Sequence, residues 1–573
     1  MSAPTPVGLA RAVDVGADVI VVGTGAAALA AALAAHDAGA SVTVVERADS
    51  VGGTTAVSGG GVWMPRNHVS GGGDSREEAL AYMTKLSAGR VPSDLLARYV
   101  DDGVDVLASL ERRTKLRFQP ISWPDYHPEM EGARRSGRMI EPALFDTALL
   151  GAWTGRLRRA PVLGLPLTLH ESTVDWRPSY TPERFEGAEI KRRVGAGQVA
   201  CGQALVAALL EGCLARGIEP VLGARAIELV VRQGRLDGLL VEHDGTRVDL
   251  RASAVVLGTG GFEWNAELCA RFLPGPLTHP TSPPANQGDG LLMAMEVGAD
   301  LANMTSAWWY PAGIVPGEEY EGRPLARFLA VERTAPHSII VDRFGQRFVN
   351  EAANYNDMQK AFFAFDANEA APRHLPCWLV MDQQYRSRYP VINVRPGAPD
   401  PDWLVVDDTL EGLAAKVGID PAGLVESVSR WNAFVADGRD RDYGRGDSFY
   451  DRFHGDPTAS HPNLGSIERA PYYACPVHLG SVGTSGGPRI DAGARVQHVR
   501  DRPIPGLFGA GNVVASPAGP AYFGGGTTIG MALVWGHIAG EGAARFARTT
   551  SEGNAGRQAP AVAFRSEGGR GHG

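Results

Sequence analysis

The chain has 573 residues, a formal net charge of −9 and 44% hydrophobic residues. This length exceeds what one hydrophobic core supports, so we expect two domains. The acidic balance argues against nucleic acid as a partner, and the hydrophobic content excludes a disordered chain. The five cysteines are scattered without a C-x-x-C pair, and the histidines show no ligand spacing, so we expect neither a disulfide framework nor a metal.

The N-terminal segment has the pattern of a strand, a glycine turn and a helix. Residues 18–22 resemble a short buried strand, followed by Gly23-Thr-Gly25-Ala-Ala-Ala28 and an alanine-rich helix that ends near Gly39. The two glycines allow a sharp turn and let a pyrophosphate approach bare backbone, and the small Ala28 lets the helix pack on the strand. The helix N-terminus then presents free N–H groups to the phosphates.

A second strand, residues 41–45, ends in Glu46, which lies 23 residues after Gly23. A carboxylate at this spacing accepts hydrogen bonds from the ribose hydroxyls of an adenosine. Because strand, glycines, helix, strand and acid occur in the required order, the sequence predicts a dinucleotide site rather than a chance glycine turn.

Residues 51–61 form a loop of small and hydroxylated residues directly after this unit. We expect the loop to lie along the ribityl chain and ring of a flavin, which an NAD enzyme does not need. A flexible glycine linker is the alternative, but the flanking Val62, Trp63 and Met64 favour a packed segment. The loop therefore favours FAD over NAD.

These motifs resemble the fumarate reductase and succinate dehydrogenase flavoprotein superfamily. The resemblance continues in residues 254–262, 288–290 and 506–512. It implies that Arg225 and Ala226 pass the adenine and that residues 511–512 open a final helix directed at the pyrophosphate and flavin. The FAD-binding residues that it implies are Gly23, Gly25, Ala27, Ala28, Glu46, Arg47, Gly53, Thr54, Thr55, Ser58, Gly59, Gly60, Ala226, Thr259, Gly260, Asp289, Gly511, Asn512, Thr528 and Ile529.

Within that superfamily the sequence is more similar to the 3-ketosteroid Δ1-dehydrogenases. Three segments carry this resemblance: 123–126, 348–355 and 522–530. The family's catalytic roles fall on four residues, namely Tyr126 as the assisting tyrosine, Tyr355 as the base, and Tyr522 with the N–H of Gly526 as the site that holds the C3 carbonyl. The resemblance implies a 3-keto-4-ene steroid substrate and an electron acceptor that the sequence does not identify.

Such a reaction removes a proton from C2 and a hydride from C1, which passes to flavin N5. The proton becomes acidic only if the developing enolate is stabilised, which a phenol and a backbone N–H aimed at one point can do. Tyr355 suits the role of base only if its surroundings lower its pKa from about 10.

Three alternatives stay open at this point. A 3-ketosteroid Δ4-dehydrogenase would keep FAD but reposition the base. A fumarate-type reductase would clamp two substrate carboxylates, and Arg333 and His337 are the candidates for that clamp. A non-catalytic protein would use the nucleotide fold only as a scaffold.

We expect an α/β protein in which a discontinuous, Rossmann-like FAD-binding domain, residues 1–312 and 485–573, holds an inserted α+β substrate (cap) domain, residues 313–484. Substrate would bind between the two domains. Within the cap, residues 338–342 and 378–382 are predicted strands, and residues 410–417 and 420–434 are predicted helices.

Residues 149–195 form a longer segment than compact members of the resembled family have. Within it, residues 153–169 combine arginines with valine and leucines, a composition that fits either a peripheral membrane contact or a loop folded over the protein. Pro161 and Pro166 interrupt a helix and favour the loop. Since no signal-peptide pattern precedes the first strand, we expect a cytoplasmic protein, with membrane association left open.

Overall fold

The computed structural model describes residues 16–232 and 234–555. Within these ranges the chain forms a seven-stranded and a six-stranded sheet with flanking helices, which confirms the predicted α/β class. The ends of the predicted FAD-binding domain, residues 1–15 and 556–573, lie outside the described residues.

The larger sheet has a parallel core. Ala17–Val22 lies between Val42–Val45 and Thr246–Leu257, and Thr246–Leu257 also pairs with Arg502–Gly509. Valines dominate the first two strands, as expected for parallel strands that are covered on both faces. Because the carboxyl ends of parallel strands share one edge, the glycine turn and Glu46 are brought together there.

Antiparallel strands extend this core at Thr246–Leu257 and at Arg502–Gly509. Arg225–Arg232 and Arg235–His243 form a hairpin against the first half of Thr246–Leu257, and Arg495–His498 pairs with Arg502–Gly509. The helices that accompany this sheet are Ala26–Asp37, Gly53–Val57, Arg76–Ser87, Ser93–Arg113, Gly187–Gly195, Cys201–Leu214, Ala266–Phe272, Asp289–Glu296 and Thr527–Ala555.

The first helix, Ala26–Asp37, packs directly on the final helix. A Cβ at Gly536 would lie 2.3 Å from the carbonyl oxygen of Ala27, and a Cβ at Gly540 would lie 2.2 Å from that of Ala31. The two glycines are one helical turn apart, so they allow backbone contact along a whole face. This contact fixes the N-terminus of the first helix at the edge where the cofactor is expected.

The smaller sheet is antiparallel and carries the predicted substrate-binding half. Its strands, in spatial order, are Arg323–Phe328, Ala307–Tyr320, Tyr472–Thr484, Cys377–Asp382 and Ser338–Asp342, with Val405–Asp407 beside Tyr472–Thr484. Its helices are Val331–Thr334, Tyr355–Met358, Gln383–Arg388, Leu410–Val417, Pro421–Asp437 and Phe449–His454.

The four elements predicted for this half are confirmed to within three residues at their ends. Ala307–Tyr320 runs across the predicted domain boundary at residue 312 without interruption. The boundaries at 312 and 485 therefore stay predictions.

Residues 153–169 do not form a continuous amphipathic helix. A distorted 3₁₀ segment ends at Arg156, and irregular backbone follows, with Arg158 buried and Val162, Leu163 and Leu165 exposed. This arrangement agrees with the predicted interruption by proline. No helix among residues 16–232 and 234–555 combines the length and the apolar character needed to cross a membrane.

Candidate active site

The glycine turn begins the cofactor site. Gly23 adopts a φ of +107°, and a Cβ there would lie 2.4 Å from the carbonyl oxygen of Gly258, so only glycine fits. Gly25 is the N-cap of Ala26–Asp37, and the N–H of Ala26 donates to Thr55 Oγ1 at 3.0 Å. Because the first turn of a helix leaves N–H groups without helical acceptors, this turn can receive a pyrophosphate beside bare glycine backbone.

Glu46 lies at the same edge and is buried. Its Oε2 accepts a hydrogen bond from Thr24 Oγ1 at 2.6 Å, and its Oε1 accepts one from the N–H of Ala48 at 2.9 Å. Burial raises the pKa of the Glu46 carboxyl. Since each carboxylate oxygen has a second lone pair, the predicted ribose contact stays compatible with these bonds.

Asp289 joins two arginines beside this edge. Its Oδ2 lies 2.8 Å from Arg47 Nη1, and its Oδ1 lies 2.8 Å from Arg225 Nη2. Ala226 follows Arg225 in the strand Arg225–Arg232 and is buried. The structure thus brings together residues that the sequence assigned separately to the nucleotide.

The loop after Glu46 is ordered by its own hydroxyl groups. Thr54 Oγ1 accepts a hydrogen bond from Asn286 Nδ2 at 2.8 Å, and Ser58 Oγ donates to the carbonyl of Thr55 at 2.7 Å. The N–H of Gly60 in turn donates to Ser58 Oγ at 3.1 Å. The predicted flavin loop is therefore a packed segment and not a flexible linker.

Two buried hydroxyl groups near predicted cofactor residues lack hydrogen-bond partners in the described part of the chain. Thr259 Oγ1 is buried with no hydrogen-bond partner in the described part of the chain, and a Cβ at Gly290 would lie 2.3 Å from it. Ser485 Oγ has no partner there either, and it borders a cleft that Asn512 and Thr528 also line. Unpartnered buried hydroxyls beside glycine backbone fit a polar, extended cofactor such as FAD.

The remaining predicted cofactor residues lie on the same elements. Gly53 begins the helix Gly53–Val57, and Gly59 follows that helix. Ala27 and Ala28 are in the first turn of the helix Ala26–Asp37. Gly260 follows the strand Thr246–Leu257, and Ile529 is in the first turn of the final helix.

One predicted element is wrong. Gly511 and Asn512 do not open the final helix, because Gly511–Val513 is a single 3₁₀ turn and the long helix begins at Thr527. The intervening residues 514–526 contain two prolines and the glycine run 524–526, which cannot continue a regular helix. The first turn of the final helix is instead preceded by Gly526.

Three tyrosines from distant parts of the chain converge. Tyr126 Oη donates to Tyr355 Oη at 2.6 Å, and the ring centroids of Tyr126 and Tyr355 lie 5.1 Å and 5.8 Å from that of Tyr522. The N–H of Tyr126 donates to the carbonyl of Phe523 at 3.0 Å, so backbone pairing holds the first and third tyrosines side by side.

The surroundings of position 526 accept only glycine. It adopts a φ of +89°, and a Cβ there would lie 2.3 Å from the carbonyl oxygen of Gly61. Its own carbonyl accepts a hydrogen bond from the N–H of Trp63 at 3.1 Å. The Gly526 N–H has no hydrogen-bond acceptor among the described residues, so it is available to a ligand beside Tyr522.

Tyr355 is the first residue of the short helix Tyr355–Met358. The preceding loop is held by Arg333, whose Nη1 donates to the carbonyl oxygens of Glu351 and Ala353 at 2.6 Å and 2.7 Å. Glu351 is fully buried and pairs with Arg347 at 2.7 Å. This network fixes the backbone from which Tyr355 projects.

A second network joins the segments of all three tyrosines. His127 Nε2 lies 2.7 Å from Asp357 Oδ2, and Lys360 Nζ lies 2.5 Å from Asp357 Oδ1. Lys360 Nζ also donates to the carbonyl of Pro520 at 3.2 Å. The Asp357 carboxylate thus connects three chain segments. It lies two residues after Tyr355, it contacts His127 next to Tyr126, and through Lys360 it is linked to Pro520, two residues before Tyr522. The sequence motifs gave no signal for this connection.

Two aromatic residues near the tyrosines were also missed. The ring of Tyr450 lies 5.2 Å from that of Tyr126, and the ring of Trp308 lies 5.1 Å from that of Tyr522. Trp308 Nε1 donates to Asn512 Oδ1 at 3.2 Å, which links the tyrosines to a predicted flavin residue. Only the tertiary fold brings these residues together.

The electrostatics differ from the sequence argument. Burial raises the pKa of the Tyr355 phenol well above its ordinary value, and the hydrogen bond from Tyr126 opposes that rise. Burial also raises the pKa of Tyr126. The protein residues alone therefore do not lower the pKa of Tyr355, as its role as a base requires. Desolvation of the phenol outweighs the single hydrogen bond that stabilises the phenolate.

Arg333 and His337 do not form the clamp considered for a fumarate-type reductase. Arg333 holds the backbone before Tyr355, and His337 Nδ1 lies 2.7 Å from the carbonyl oxygen of Ser466. Both side chains therefore make hydrogen bonds within the protein, which disfavours their role as the clamp.

A family model described as an FAD binding domain matches residues 18–529. The 4-oxocyclohexanecarboxylate 2-dehydrogenase of Sinomonas cyclohexanicum is 40% identical over 539 residues, with 91% of this chain and 92% of that protein covered. The 3-oxosteroid 1-dehydrogenase of Mycolicibacterium smegmatis is 35% identical over 555 residues, with 91% and 96% covered.

Among solved structures, a 3-ketosteroid Δ1-dehydrogenase from Sterolibacterium denitrificans is similar over 93% of this chain and 99% of its own length. The TM-score is 0.86 and the sequences are 36% identical. FAD is the cofactor of this fold family, and the glycine turn and unpartnered hydroxyls described above fit it. The chain belongs to the FAD-binding-domain flavoproteins, in the group of FAD-dependent oxidoreductases that contains the 3-oxosteroid 1-dehydrogenases.

Proposed function

We propose that the protein desaturates a cyclic ketone at the bond between the α and β carbons, with 3-ketosteroids as substrates and 1,4-diene-3-ketosteroids as products. The observation that carries this proposal is the convergence of Tyr126, Tyr355 and Tyr522, with Gly526 only four residues after Tyr522. FAD, when bound, supplies the hydride acceptor.

The ketone oxygen accepts hydrogen bonds from Tyr522 Oη and from the Gly526 N–H. Both donors are in place before the reaction, because Tyr522 is buried and the backbone of Gly526 is held by Trp63. They stabilise the negative charge that develops on the oxygen as the α proton leaves, which is worth several kcal/mol at comparable sites.

The phenolate form of Tyr355 accepts the α proton. Tyr126 donates a hydrogen bond to Tyr355 Oη and so stabilises the charged form. The aromatic rings around this pair exclude water, which keeps the proton transfer within the tyrosines. Arg333 and the network of Glu351 hold the backbone of Tyr355 in position.

The steroid assignment is supported by relatives named 3-oxosteroid 1-dehydrogenase and by the solved structure, which contains 1,4-androstadiene-3,17-dione. A second candidate is a one-ring ketone that carries a carboxylate, as in the name of the Sinomonas relative. The 40% identity of that relative over 91% of this chain supports this candidate.

The test is anaerobic mixing of the FAD-loaded protein with 4-androstene-3,17-dione or with 4-oxocyclohexanecarboxylate. Bleaching of the flavin absorbance and a product two mass units lighter, with its double bond conjugated to the ketone, are expected for at least one of them. In a parallel assay, formation of a 4-ene from a saturated 3-ketosteroid would indicate a Δ4-dehydrogenase instead. Absence of bleaching, together with reoxidation of the reduced protein by fumarate, would indicate a fumarate-type reductase.

We also propose that residues 153–169 contact a membrane surface, from which apolar substrates partition. Val162, Leu163 and Leu165 are exposed next to the exposed Arg156 and Arg159, a combination that suits an anionic lipid surface. Deletion of residues 153–169 is expected to move protein from sedimented vesicles to the supernatant, and an unchanged distribution would contradict the contact. The electron acceptor is not assigned.

A further inference from the structure

Glu263 is a buried acidic residue without an ion pair in the described part of the chain. It is 3% exposed, and its Oε1 accepts hydrogen bonds from Ser282 Oγ at 2.6 Å and from Asn286 Nδ2 at 2.7 Å. Its Oε2 accepts one from the N–H of Thr484 at 3.3 Å. Burial raises the pKa of the Glu263 carboxyl, and the hydrogen bonds from Ser282 and Asn286 oppose that rise. Because every partner donates, the partners favour the ionised form.

Glu263 lies against residues that are predicted to bind FAD. A Cβ at Gly260 would lie 2.8 Å from Asn286 Oδ1, so the side chain that Glu263 holds is directly beside that turn. On another side, a Cβ at Gly483 would lie 3.8 Å from Glu263 Oε1 and 2.2 Å from Asn512 Nδ2. Gly260 and Asn512 are both predicted cofactor residues. The carboxylate is therefore built into the wall of the predicted FAD site.

Asn286 connects Glu263 to the predicted flavin loop. Its Nδ2 group carries two hydrogens, which serve two acceptors: Glu263 Oε1 at 2.7 Å and Thr54 Oγ1 at 2.8 Å. An ionised carboxylate can only accept hydrogen bonds, so it fixes the amino group of Asn286, and not its oxygen, at this place. Thr54 Oγ1 must then accept from Asn286. The Thr54 hydroxyl hydrogen, which makes no hydrogen bond within the described residues, is left for another acceptor.

From this geometry we infer that Glu263 is a positioning residue for the cofactor, because it orients a hydrogen-bond relay through Asn286 that leaves the Thr54 hydroxyl free to donate to FAD. FAD offers many acceptors for such a hydrogen, in its phosphates, its ribityl chain and its ring carbonyls. The relay goes beyond the proposed function, because it concerns the cofactor and holds for any ketone substrate.

Glu263→Gln is the variant that reverses the relay. An amide has one acceptor and one donor group, so the new side chain satisfies the N–H of Thr484 only if its amino group faces Ser282 and Asn286. The Asn286 side chain must then turn its oxygen toward that amino group. The same oxygen also faces Thr54, whose hydroxyl consequently donates within the protein and is lost to FAD.

The experiment measures the Kd of the apoprotein for FAD by flavin fluorescence during titration. We expect Glu263→Gln to raise this Kd by about 10-fold, the usual effect of one buried hydrogen bond. The melting temperature of the apoprotein should stay unchanged, because every donor and acceptor around position 263 remains paired.

Substitutions of Thr54 test the other end of the relay. Thr54→Val removes the hydroxyl group and should raise the Kd for FAD as much as Glu263→Gln does, whereas Thr54→Ser keeps the hydroxyl group and should retain the original Kd. If Glu263 acts through Thr54, the double variant with Glu263→Gln and Thr54→Val should bind FAD as each single variant does. A residue that only stabilised the fold would instead give additive losses.

Glu332→Gln is the matched control. Glu332 is also buried and has no ion pair among the described residues, and its Oε1 accepts a hydrogen bond from the N–H of Ile392 at 2.8 Å. It lies in the helix Val331–Thr334, which belongs to the other half of the protein. The Kd of this variant for FAD should equal that of the unchanged protein.

Three results would overturn the relay. The first is a Glu263→Gln variant that binds FAD as tightly as the unchanged protein. The second is an additive rise of Kd in the double variant, because Glu263 would then act independently of Thr54. The third is an equal Kd for Thr54→Val and Thr54→Ser, which leave Glu263 in place, so the outcome does not depend on the folding of one variant. Since FAD is the only ligand, these results stand apart from the reaction of any ketone.

Discussion

Tyr126 Oη donates a hydrogen bond to Tyr355 Oη over 2.6 Å, although 229 positions separate the two residues in the chain. Both rings contact the ring of Tyr522, so aromatic surface encloses the bond. Low-polarity surroundings strengthen a hydrogen bond and penalise its loss. Phenylalanine substitutions at this pair keep the packed rings and remove only hydroxyl groups, so we expect them to change the chemistry more than the packing of the fold.

Tyr355→Phe removes the proposed base and keeps the ring. We expect the rate of flavin reduction by the ketone to fall by about 10²–10⁴-fold, the usual contribution of a general base, while FAD remains bound. Stopped-flow absorbance measures the rate, and the flavin spectrum of the purified variant measures occupancy. Tyr385→Phe, at a fully buried tyrosine in the helix Gln383–Arg388, is the control. A near-normal rate in Tyr355→Phe would show that another group accepts the proton.

The pH dependence of flavin reduction follows from the raised pKa of Tyr355. Below that pKa, each pH unit increases the phenolate fraction about tenfold, so the logarithm of the rate should rise with a slope of about 1 and reach no plateau below about pH 10. Tyr126→Phe removes the hydrogen bond that opposes the raised pKa and should shift the profile to still higher pH. A plateau that begins near neutral pH would contradict the base assignment.

The parts of the site that could be predicted from the sequence lie close together in the chain or belong to a recognisable sequence motif. Gly23 and Glu46 are recognisable because one βαβ unit fixes their spacing. By contrast, Tyr450 and Asp357 reach the tyrosines through contacts between distant segments, which no spacing rule encodes. The start of the final helix was misplaced because the turn at Gly511 has the same local appearance as a helix N-terminus.

Gly526→Ala tests the contact that requires glycine. A Cβ there would lie 2.3 Å from the carbonyl oxygen of Gly61, so the loop must move and carry the free N–H away from Tyr522. We expect kcat/KM to fall by at least about 10²-fold, the usual loss for one oxyanion donor, and a lower melting temperature. Gly137→Ala is the control, because Gly137 has a φ of +93° with nothing within 4 Å of the added Cβ. Similar losses in both variants would assign the effect to backbone strain alone.

Asp289→Asn tests the predicted nucleotide edge. The substitution removes the charge that pairs with Arg47 and Arg225, so the two arginines lose their common anchor. We expect the Kd of the apoprotein for FAD to rise by about 10-fold, measured by flavin fluorescence during titration. Asp442→Asn, which removes an exposed pair with Arg430 in the other half of the protein, should leave that Kd unchanged. An unchanged Kd in Asp289→Asn would place the pair outside the cofactor site.

Asp357→Asn tests the link between the three tyrosine segments. His127 and Lys360 hold the pKa of the Asp357 carboxyl below its ordinary value, against the opposing effect of burial. Such a carboxylate stabilises the folded protein above its unfolded pKa of about 4, and this stabilisation is lost as the pH falls through the lower folded pKa. The variant should therefore melt below the unchanged protein at pH 7, and the difference should shrink below about pH 4.

The same substitution should also lower kcat, because the three rings are no longer held in register, while FAD occupancy remains high. Asp366→Asn provides the control, since Asp366 pairs with Arg373 outside the tyrosine segments. A kcat loss of about 10-fold together with the pH-dependent melting difference would identify Asp357 as a positioning residue. A melting difference without any change in kcat would restrict the network to stability, because the tyrosines would then keep their geometry without it.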